Sequence, residues 1–386
     1  MDNNFKKEKV LTISSAHFAH DIFSSFLAPL LPLLIEKLGL SLSMVAFLDI
    51  IRRIPALFNP LLGLMAEKTN VKYFVILTPS VTAISMSMLG LASSYFILVL
   101  LLFIAGISSA LFHIPSPTMI KQSSGEQTGR GMSYFMVGGE FARTMGPILI
   151  TSAVSWWGLD GSYKLMPIGI IASILLYIRF KDFDTSIKAK KFEKGDIKAV
   201  LKQHKNLFWF LASFILFNAA LKSSLSLYLP VYLVKNGNSL WYAGVALSIL
   251  QFAGVIGVFY SGKLSDRLGR KKILLFSSIG SIIFMALFLY TQNIVVLGLL
   301  GVFVFAPAPV LMALVQDTNS PMPTFMHSIY MGINFGLSSI VVLLIGYMGD
   351  SYGLNNTFII CNILGIGTLL AILYMFKGNC NIISKN

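Results

Sequence analysis

Residues 262–272 read Gly-Lys-Leu-Ser-Asp-Arg-Leu-Gly-Arg-Lys-Lys, a short loop in which five of eleven side chains are basic. It separates two apolar runs, 242–262 and 273–292, each about 20 residues long, which is the length of a helix that crosses a bilayer. Gly262 allows two helices to approach closely. Asp266 can face a helix N-terminus, and arginines in the loop can hold its carboxylate. The loop therefore predicts a charged connection between two membrane-spanning helices.

The composition of the whole chain agrees with this interpretation. Of 386 residues, 55% are hydrophobic and 12% are charged, whereas an average soluble chain carries about 25% charged residues. These values exclude a disordered chain, a disulfide-stapled secreted domain and an ordinary cytosolic enzyme, and they indicate a polytopic membrane protein. Cys361 lies in an apolar run and Cys380 in the polar C-terminal tail, so neither a disulfide nor a thiolate metal site is expected.

Twelve runs are long and apolar enough to span a bilayer. The first contains His17, His20 and Asp21 and exceeds the length of a signal peptide's apolar region, so it is predicted to be a retained helix. The runs are 10–35, 42–65, 73–92, 95–120, 132–157, 162–180, 207–234, 242–262, 273–292, 294–316, 325–348 and 355–376.

The basic residues are distributed unequally between the two sides of these spans. If both termini are cytoplasmic, 23 of the 30 Lys and Arg residues lie inside and only three lie outside. This bias predicts a multi-pass protein of the cytoplasmic (inner) membrane with both termini in the cytoplasm. The net charge of +14 is thereby attributed to topology, and no nucleic-acid partner is expected.

The chain divides into two similar parts. Residues 63–68 and 262–267 both begin with Gly and carry an acidic–basic pair at the same offset, and paired prolines lie within spans four and ten at a similar separation. We predict an N-terminal six-helix bundle (1–180), a cytoplasmic linker (181–206) and a C-terminal six-helix bundle (207–386). Prolines are expected to bend spans one, four and ten. Parallel repeats of this kind are typical of transporters whose halves rock about a central site.

The loop at 262–272 closely resembles the GxLaDrxGRkk signature of the major facilitator superfamily. This resemblance implies an all-α fold of twelve transmembrane helices in two parallel six-helix repeats. It also implies that the loop helps to latch the two halves in one state. The gating-loop residues are then Gly262, Asp266, Arg267, Gly269 and Arg270. Because the first copy has lost the Leu-Gly-Arg portion, the latch is predicted on the second-half side.

Three stretches resemble the fosmidomycin-resistance branch of drug exporters within that superfamily. They are His17-Phe-Ala-His-Asp-Ile-Phe-Ser-Ser-Phe-Leu-Ala-Pro-Leu-Leu-Pro32, Phe112-His-Ile-Pro115, and Gly138-Gly-Glu140 continuing to Gly146-Pro147. The resemblance implies export of a small organic compound or drug.

Seven charged residues lie deep within the predicted spans. Each would cost about 2.5–3.5 kcal/mol if left unpaired in the membrane, so they should pair, face the protein interior or line water. They are Asp21, Asp49, Arg52, Arg53, Glu140, Arg143 and Lys222.

Span one places His17, His20 and Asp21 on one helix face, because their spacings are three and four residues. The resemblance implies that spans one, four, seven and ten line the cavity, so His113 and Lys222 would complete a polar set. Asp21 is the first candidate for a proton carrier, with His17 beside it. The alternative is a permanent structural pair of Asp21 with Lys222 or His17.

Spans two and five each carry an acid close to arginine. In span two, one of Arg52 and Arg53 could bind an anionic group of a substrate, or both could form a local ion pair with Asp49. In span five, Glu140 with Arg143 could release protons or form a pair between the halves.

Two residues of span eleven complete the candidate cavity. His327 and Asn334 could add polar contacts to a substrate. The alternative for His327 is a structural side chain whose hydrogen bonds are satisfied locally.

The sequence thus favours a secondary transporter that exports a small organic compound in exchange for protons, with anionic compounds favoured. The alternatives are a proton-coupled uptake symporter for an organic anion and a lipid-handling or non-transporting relative. An enzyme is not expected, since no HExxH, nucleophile elbow or dinucleotide fingerprint occurs. No cofactor or metal is expected beyond the proton gradient. The partners would be the substrate and the bilayer, and the protein would function as a monomer.

Overall fold

A computed structural model of the protein describes residues 5–58, 72–180, 197–318, 320 and 323–377. Within these ranges every regular element is helical, which confirms the predicted all-α class. The first copy of the loop (63–68), most of the linker (181–196) and Cys380 lie outside the described residues.

The chain forms two compact units. The first comprises residues 1–190 with 233–248, and the second comprises 191–232 with 249–386. The six-plus-six boundaries predicted from the sequence stay a prediction.

In its described residues the first unit contains eight α-helices, joined in part by short 3-10 turns. They are α1 (Lys7–Ser24), α2 (Leu27–Leu38), α3 (Leu42–Arg53), α4 (Lys72–Ser87), α5 (Tyr95–His113), α6 (Ser116–Ser124), α7 (Thr128–Trp157) and α8 (Met166–Arg179).

The remaining helices belong to the second unit, apart from the end of α11 from Leu233 and the start of α12 up to Ser248. They are α9 (Ile197–Gln203), α10 (Lys205–Ser223), a π-helical turn (Ser224–Tyr228), α11 (Leu229–Lys235), α12 (Leu240–Leu268), α13 (Arg270–Thr291), α14 (Ile294–Phe305), α15 (Pro307–Gln316) and α16 (Pro323–Lys377).

Prolines interrupt the spans where they were predicted to do so. Span one is divided into α1 and α2 shortly before Pro29, span four into α5 and α6 at Pro115, and span ten into α14 and α15 at Pro307. A proline cannot donate the backbone hydrogen bond of a continuous helix, and its ring clashes with the preceding turn. The predicted bends in spans one, four and ten are therefore confirmed.

The described helices account for a multi-pass membrane protein. In the described ranges, nine helical segments are long and apolar enough to cross a membrane. The last of them, Phe325–Met375, covers two predicted spans that join at Gly353, where φ is 76°. Span two is described only as far as Phe58, and α7 carries several charged residues. The predicted number of twelve spans is consistent with these observations.

Small residues on α7 bring it close to α1. A Cβ added at Gly138 would meet the backbone oxygen of Ser14, one at Gly139 would overlap the His17 ring, and one at Gly146 would meet Ser25. In membranes, where helices gain little from hydrophobic burial against each other, small residues of this kind permit close packing. The α1–α7 contact places the polar face of α1 directly against α7.

Candidate functional site

Asp21 is the centre of a buried polar cluster in the first unit. Its Oδ2 lies 3.3 Å from Nε2 of His17 and 3.4 Å from Nη2 of Arg143, and its Oδ1 lies 3.2 Å from Nε2 of His113. Three helices contribute, since Asp21 and His17 are on α1, His113 ends α5, and Arg143 is on α7. The structure thus brings together four residues that the sequence analysis had selected from three separate spans.

The orientation of His17 is fixed by α7. Its Nδ1 lies 2.8 Å from the backbone oxygen of Phe135. A carbonyl can only accept a hydrogen bond, so Nδ1 must carry a proton and donate. The ring also stacks on Phe135, with centroids 4.0 Å apart, and fills the space left by Gly139. The second nitrogen, Nε2, consequently faces the Asp21 carboxylate.

No aligned hydrogen bond joins His17 to Asp21 in the described structure. Nε2 of His17 and Oδ1 of Asp21 are both buried and have no hydrogen-bond partner. If His17 is neutral and Asp21 is ionised, two acceptors face each other at 3.3 Å. A buried pair of this kind is unfavourable unless a proton is bound between them.

His20 occupies a separate, fully buried position. Its Nδ1 lies 3.1 Å from Oγ1 of Thr82, which donates to Ser108 at 2.8 Å, and Ser108 donates to the backbone oxygen of Thr78 at 3.0 Å. Because each hydroxyl has one proton to donate, this chain makes Thr82 the acceptor and His20 Nδ1 the donor. Nε2 of His20 has no partner. The His20 ring stacks on the Phe112 ring, with centroids 4.7 Å apart, and it is not exposed to solvent.

Arg143 also pairs with a second acid. Its Nη1 donates to Oε1 of Glu140 at 2.6 Å, one turn earlier on α7. The shorter distance to Glu140 than to Asp21 makes Glu140 the main partner. Both side chains of this pair are only partly buried. The described partner of Glu140 is therefore on its own helix in the first unit, and the proton-release role and the pair between the halves stay predictions.

On α3, Asp49 is paired with both neighbouring arginines. Its oxygens lie 3.2 Å from Nη2 of Arg52 and 2.9 Å from Nη2 of Arg53. Arg52 also donates to the backbone oxygen of Ser24 at 3.1 Å, which links α3 to the end of α1. Arg53 is the more exposed of the two and has Asp49 as its described partner. The local ion pair is present, and Arg53 is better placed than Arg52 to contact a ligand.

Three candidate cavity residues belong to the second unit. The Nζ of Lys222 lies 5.1 Å from the ring centroid of Phe305, a cation–π distance. His327 lies 6.2 Å from the Tyr330 ring, and Asn334 is half-buried on the same helix, α16.

The loop at 262–272 forms a charge cluster within the second unit. Arg270 bonds to Asp266, to Oγ of Ser265 at 2.6 Å, and to Asp317 at 3.1 Å. Burial disfavours the charged guanidinium, but the bonds to Asp317 and Asp266 outweigh burial and raise the pKa of Arg270 above its ordinary value.

The other loop residues are more open. Gly269 has φ of 91°, a conformation that favours glycine, Gly262 is half-buried, and Arg267 is exposed.

Several residues that contact the candidate site residues were not predicted from the sequence. Asp317 was missed, although an acidic residue directly after span ten was a visible signal. Gly139 belongs to the Gly138-Gly-Glu140 stretch, but its contact with His17 was not predicted. Thr82 and Ser108 match no sequence motif, so their hydroxyl groups could not be identified. The carbonyl of Phe135 cannot be found from sequence, since its role depends only on helix packing.

Three residues of the cluster have side chains that can bind metal ions. His17, Asp21 and His113 each offer a ligand atom, and these atoms lie within 4.8 Å of one another. Arg143, however, already brings a cation to the same carboxylate at 3.4 Å. A divalent ion would meet this like charge, so the cluster is better suited to a proton than to a metal.

Comparison with known proteins agrees with the fold and the sequence signatures. The chain is 22% identical over 371 residues to the fosmidomycin resistance protein of Escherichia coli (strain K12), covering 93% of this chain and 91% of the relative. It is 23% identical to the multi-drug resistance efflux pump PmrA of Streptococcus pneumoniae, over 71% of each chain.

Solved structures match over nearly the whole chain. A bacterial homolog of the human lysosomal transporter Spinster matches with a TM-score of 0.76 at 14% identity, covering 97% of this chain and 96% of that one. A D-xylose–proton symporter matches with a TM-score of 0.74 at 17% identity, covering all of both chains. The sequence profile described as Major Facilitator Superfamily matches residues 13–342. This chain is a multi-pass membrane transporter, not an enzyme, and it belongs to the Major Facilitator Superfamily.

Proposed function

We propose that the protein is a proton-coupled secondary transporter that exports a small organic compound, with anions favoured, by rocking alternating access. The observation that carries the proposal is the His17–Asp21 pair. With Nδ1 of His17 committed to the Phe135 carbonyl, the buried pair at 3.3 Å is stable only when it holds a proton. Losing that proton leaves two acceptors in contact, which favours a rearrangement of the site.

This property is what coupling requires. A carrier must bind a proton in one state and release it when the substrate binds in another. The neighbouring Arg143 gives a route for such an exchange, since it contacts Asp21 and Glu140 and remains partly exposed. An anionic substrate that attracts Arg143 would weaken its contact with Asp21 and strengthen proton binding there. Glu140 would then become available as a second proton acceptor.

The preference for anions follows from the exposed charges. In the first unit, the side chains of Arg53 and Arg143 are each 44% exposed, whereas the acids Asp21 and Asp49 are buried. Guanidinium groups bind carboxylates and phosphonates through paired hydrogen bonds. The names of the relatives, resistance to fosmidomycin and multidrug efflux, support export of a drug-like compound. The same fold also occurs in a symporter, so the direction needs its own measurement.

The test uses the purified protein in liposomes that contain a pH-sensitive dye. Fosmidomycin, a phosphonate, is the first probe, and proton movement is followed when it is added against an imposed pH gradient. We expect fosmidomycin-dependent proton movement in the wild type and its loss in Asp21→Asn. The matched control is Asp160→Asn, an exposed acid in the same unit that pairs with Lys37 at 2.6 Å, and it should transport normally.

The sign of the proton movement identifies the direction of coupling. Protons moving opposite to fosmidomycin indicate antiport and export, and protons moving with it indicate uptake symport. Fosmidomycin transport with unchanged proton movement in Asp21→Asn would contradict the proposal that Asp21 carries the proton.

A further inference from the structure

We infer that His113 is the side chain through which protons reach and leave Asp21, rather than a substrate-binding group. The inference rests on the proposed function, because it assigns the route by which the proposed proton site is loaded.

The proton site itself is closed to solvent. The side chains of Asp21 and His17 are 5% and 4% exposed. Two of the described ion-pair partners of Asp21 reach the surface of the unit: His113, which is 36% exposed, and Arg143, which is 44% exposed. A charged group facing lipid is costly, so the space onto which Arg143 opens should contain water. A proton from this water must therefore pass one of these two side chains.

Chemistry selects between the two. Arginine keeps its proton at any pH at which a protein functions, so Arg143 cannot relay one. Histidine exchanges its proton near neutral pH and has two ring nitrogens that can serve opposite sides. Glu140 is also partly exposed, but its described contact is with Arg143, and the guanidinium stands between it and Asp21. His113 is the relay that remains.

The two oxygens of Asp21 have different neighbours, which gives the route a direction. Oδ2 is close to His17 and Arg143. Oδ1 lies 3.2 Å from Nε2 of His113 and has no aligned hydrogen bond. A modest rotation of the half-exposed ring would align the two atoms, and such tightening is common when a site becomes active. The proton therefore enters at Oδ1, on the side away from Arg143.

The neighbours of His113 define the electrostatics of the route. The rings of His17 and His20 on α1 lie edge-on to it, with centroids 5.1 and 5.6 Å away. Asp21 faces it from α1, and Arg143 and Glu140 lie on α7. Of these, His20 is buried and has its Nδ1 bonded to Thr82, so it offers no second path to solvent.

The transfer step is simple. A protonated His113 gives up the proton on Nε2, the Nε2–H bond breaks, and an O–H bond forms at Oδ1 of Asp21. A half-turn of the carboxyl group then exchanges its two oxygens and brings this O–H to Nε2 of His17. The neutral imidazole of His113 then regains a proton from water. Release of the proton follows the same steps in reverse, so a single side chain serves both directions.

The test measures the rate of Asp21 protonation and needs no substrate. The purified protein in nanodiscs is subjected to a rapid pH jump, and the carboxyl band of Asp21 is followed by time-resolved infrared spectroscopy, with Asp21→Asn identifying the band. We expect His113→Ala to slow this protonation by about 10²-fold or more, the lower range for a positioned proton-transfer group. Imidazole added to the buffer should restore the rate, because it can occupy the vacated space.

Two further variants complete the test. His113→Gln fills more of the space and cannot relay a proton, so it should be slow and poorly rescued by imidazole. Asp160→Asn, at the exposed acid that pairs with Lys37, should have the wild-type rate. The inference is overturned if both His113 variants are folded and protonate Asp21 at the wild-type rate. It is also overturned if they only raise the KM for fosmidomycin, which would indicate a substrate contact.

Failure of the inference can be distinguished from failure of the proposed function. If Asp21→Asn abolishes coupled proton movement while the His113 variants remain fast, the proton site stands and only the route is wrong. If no Asp21 band responds to the pH jump in the wild type, the proposed proton site itself is wrong.

Discussion

At the residue scale, the position of the His17 ring depends on the absence of a side chain at Gly139. Gly139 has no Cβ, and any Cβ there would overlap the His17 ring. We predict that Gly139→Ala displaces His17, breaks its hydrogen bond to Phe135, and abolishes fosmidomycin-dependent proton movement in liposomes. The displacement should also cost about 1–3 kcal/mol of stability, as overpacking commonly does.

A matched glycine tests whether this effect is specific. Gly332 on α16 has no atom within 4 Å of its hypothetical Cβ. Gly332→Ala should therefore leave transport unchanged and keep or slightly raise the melting temperature, because alanine is the better helix former. Equal loss of coupling in the two variants would mean that the α1–α7 contact does not act through His17.

A second residue-scale prediction concerns Asp49, which is 2% exposed and holds two arginines. Asp49→Asn removes the negative charge and leaves both guanidinium groups without a balancing acid. Removing one partner of a fully buried pair commonly costs about 3–5 kcal/mol. The cost at Asp49 should be smaller, because the side chains of Arg52 and Arg53 are 26% and 44% exposed. We expect a clearly lower melting temperature in detergent. Asp160→Asn is the comparison, since its pair with Lys37 is exposed and such pairs contribute about 1 kcal/mol or less.

At the element scale, Arg270 connects the start of α13 to two other elements. It bonds to Asp266 at the end of α12 and to Asp317 just after α15. We predict that Asp317→Asn loosens this junction, so that backbone amides of 265–270 and of the last turn of α15 exchange hydrogen faster. Hydrogen exchange followed by mass spectrometry measures this directly. An unchanged exchange pattern would mean that Asp266 and Ser265 suffice to hold Arg270.

The elements also illustrate what the sequence could and could not predict. Proline positions predicted the interruptions of spans one, four and ten, because a missing N–H is a local property. Offsets of three and four residues placed His17, His20 and Asp21 on one face for the same reason. The separate environments of His17 and His20 were not predictable. They depend on Phe135, Thr82 and Ser108, which reach these rings only through packing between helices.

At the scale of the whole molecule, composition and charge placement predicted a multi-pass membrane protein, because membrane insertion leaves strong statistical marks. The similar halves and the signature at 262–272 predicted the transporter family, which the family match confirms. The substrate class and the coupling ion produce no comparable pattern in the composition or the charge placement. They are inferred from a few contacts between side chains. The predicted orientation, with both termini cytoplasmic, and the monomeric state remain proposals. They can be checked by cysteine labelling from each side and by light scattering.

The buried ring of His204 links the stability of the molecule to pH. His204, between α9 and α10 and outside the spans, is buried, and neither ring nitrogen has a hydrogen-bond partner in the described part of the chain. Burial lowers the pKa of His204 below its usual 6.5. The folded protein therefore keeps this ring neutral under conditions in which the unfolded chain protonates it. Above about pH 6.5, His204 should not reduce the free energy of unfolding. As the pH falls from there towards the lowered pKa, the free energy of unfolding should decrease.

Replacing the imidazole by an apolar side chain removes this proton uptake. We predict that His204→Leu melts less steeply with acidification than the wild type over that range, with little difference at pH 8. His327→Gln, at a half-buried histidine of the second unit, is the control and should follow the wild-type curve. The measurement is the melting temperature in one detergent across a pH series. Parallel curves for His204→Leu and the wild type would mean that the buried ring is hydrated and titrates normally in the folded protein, so that the acid sensitivity of the molecule arises elsewhere.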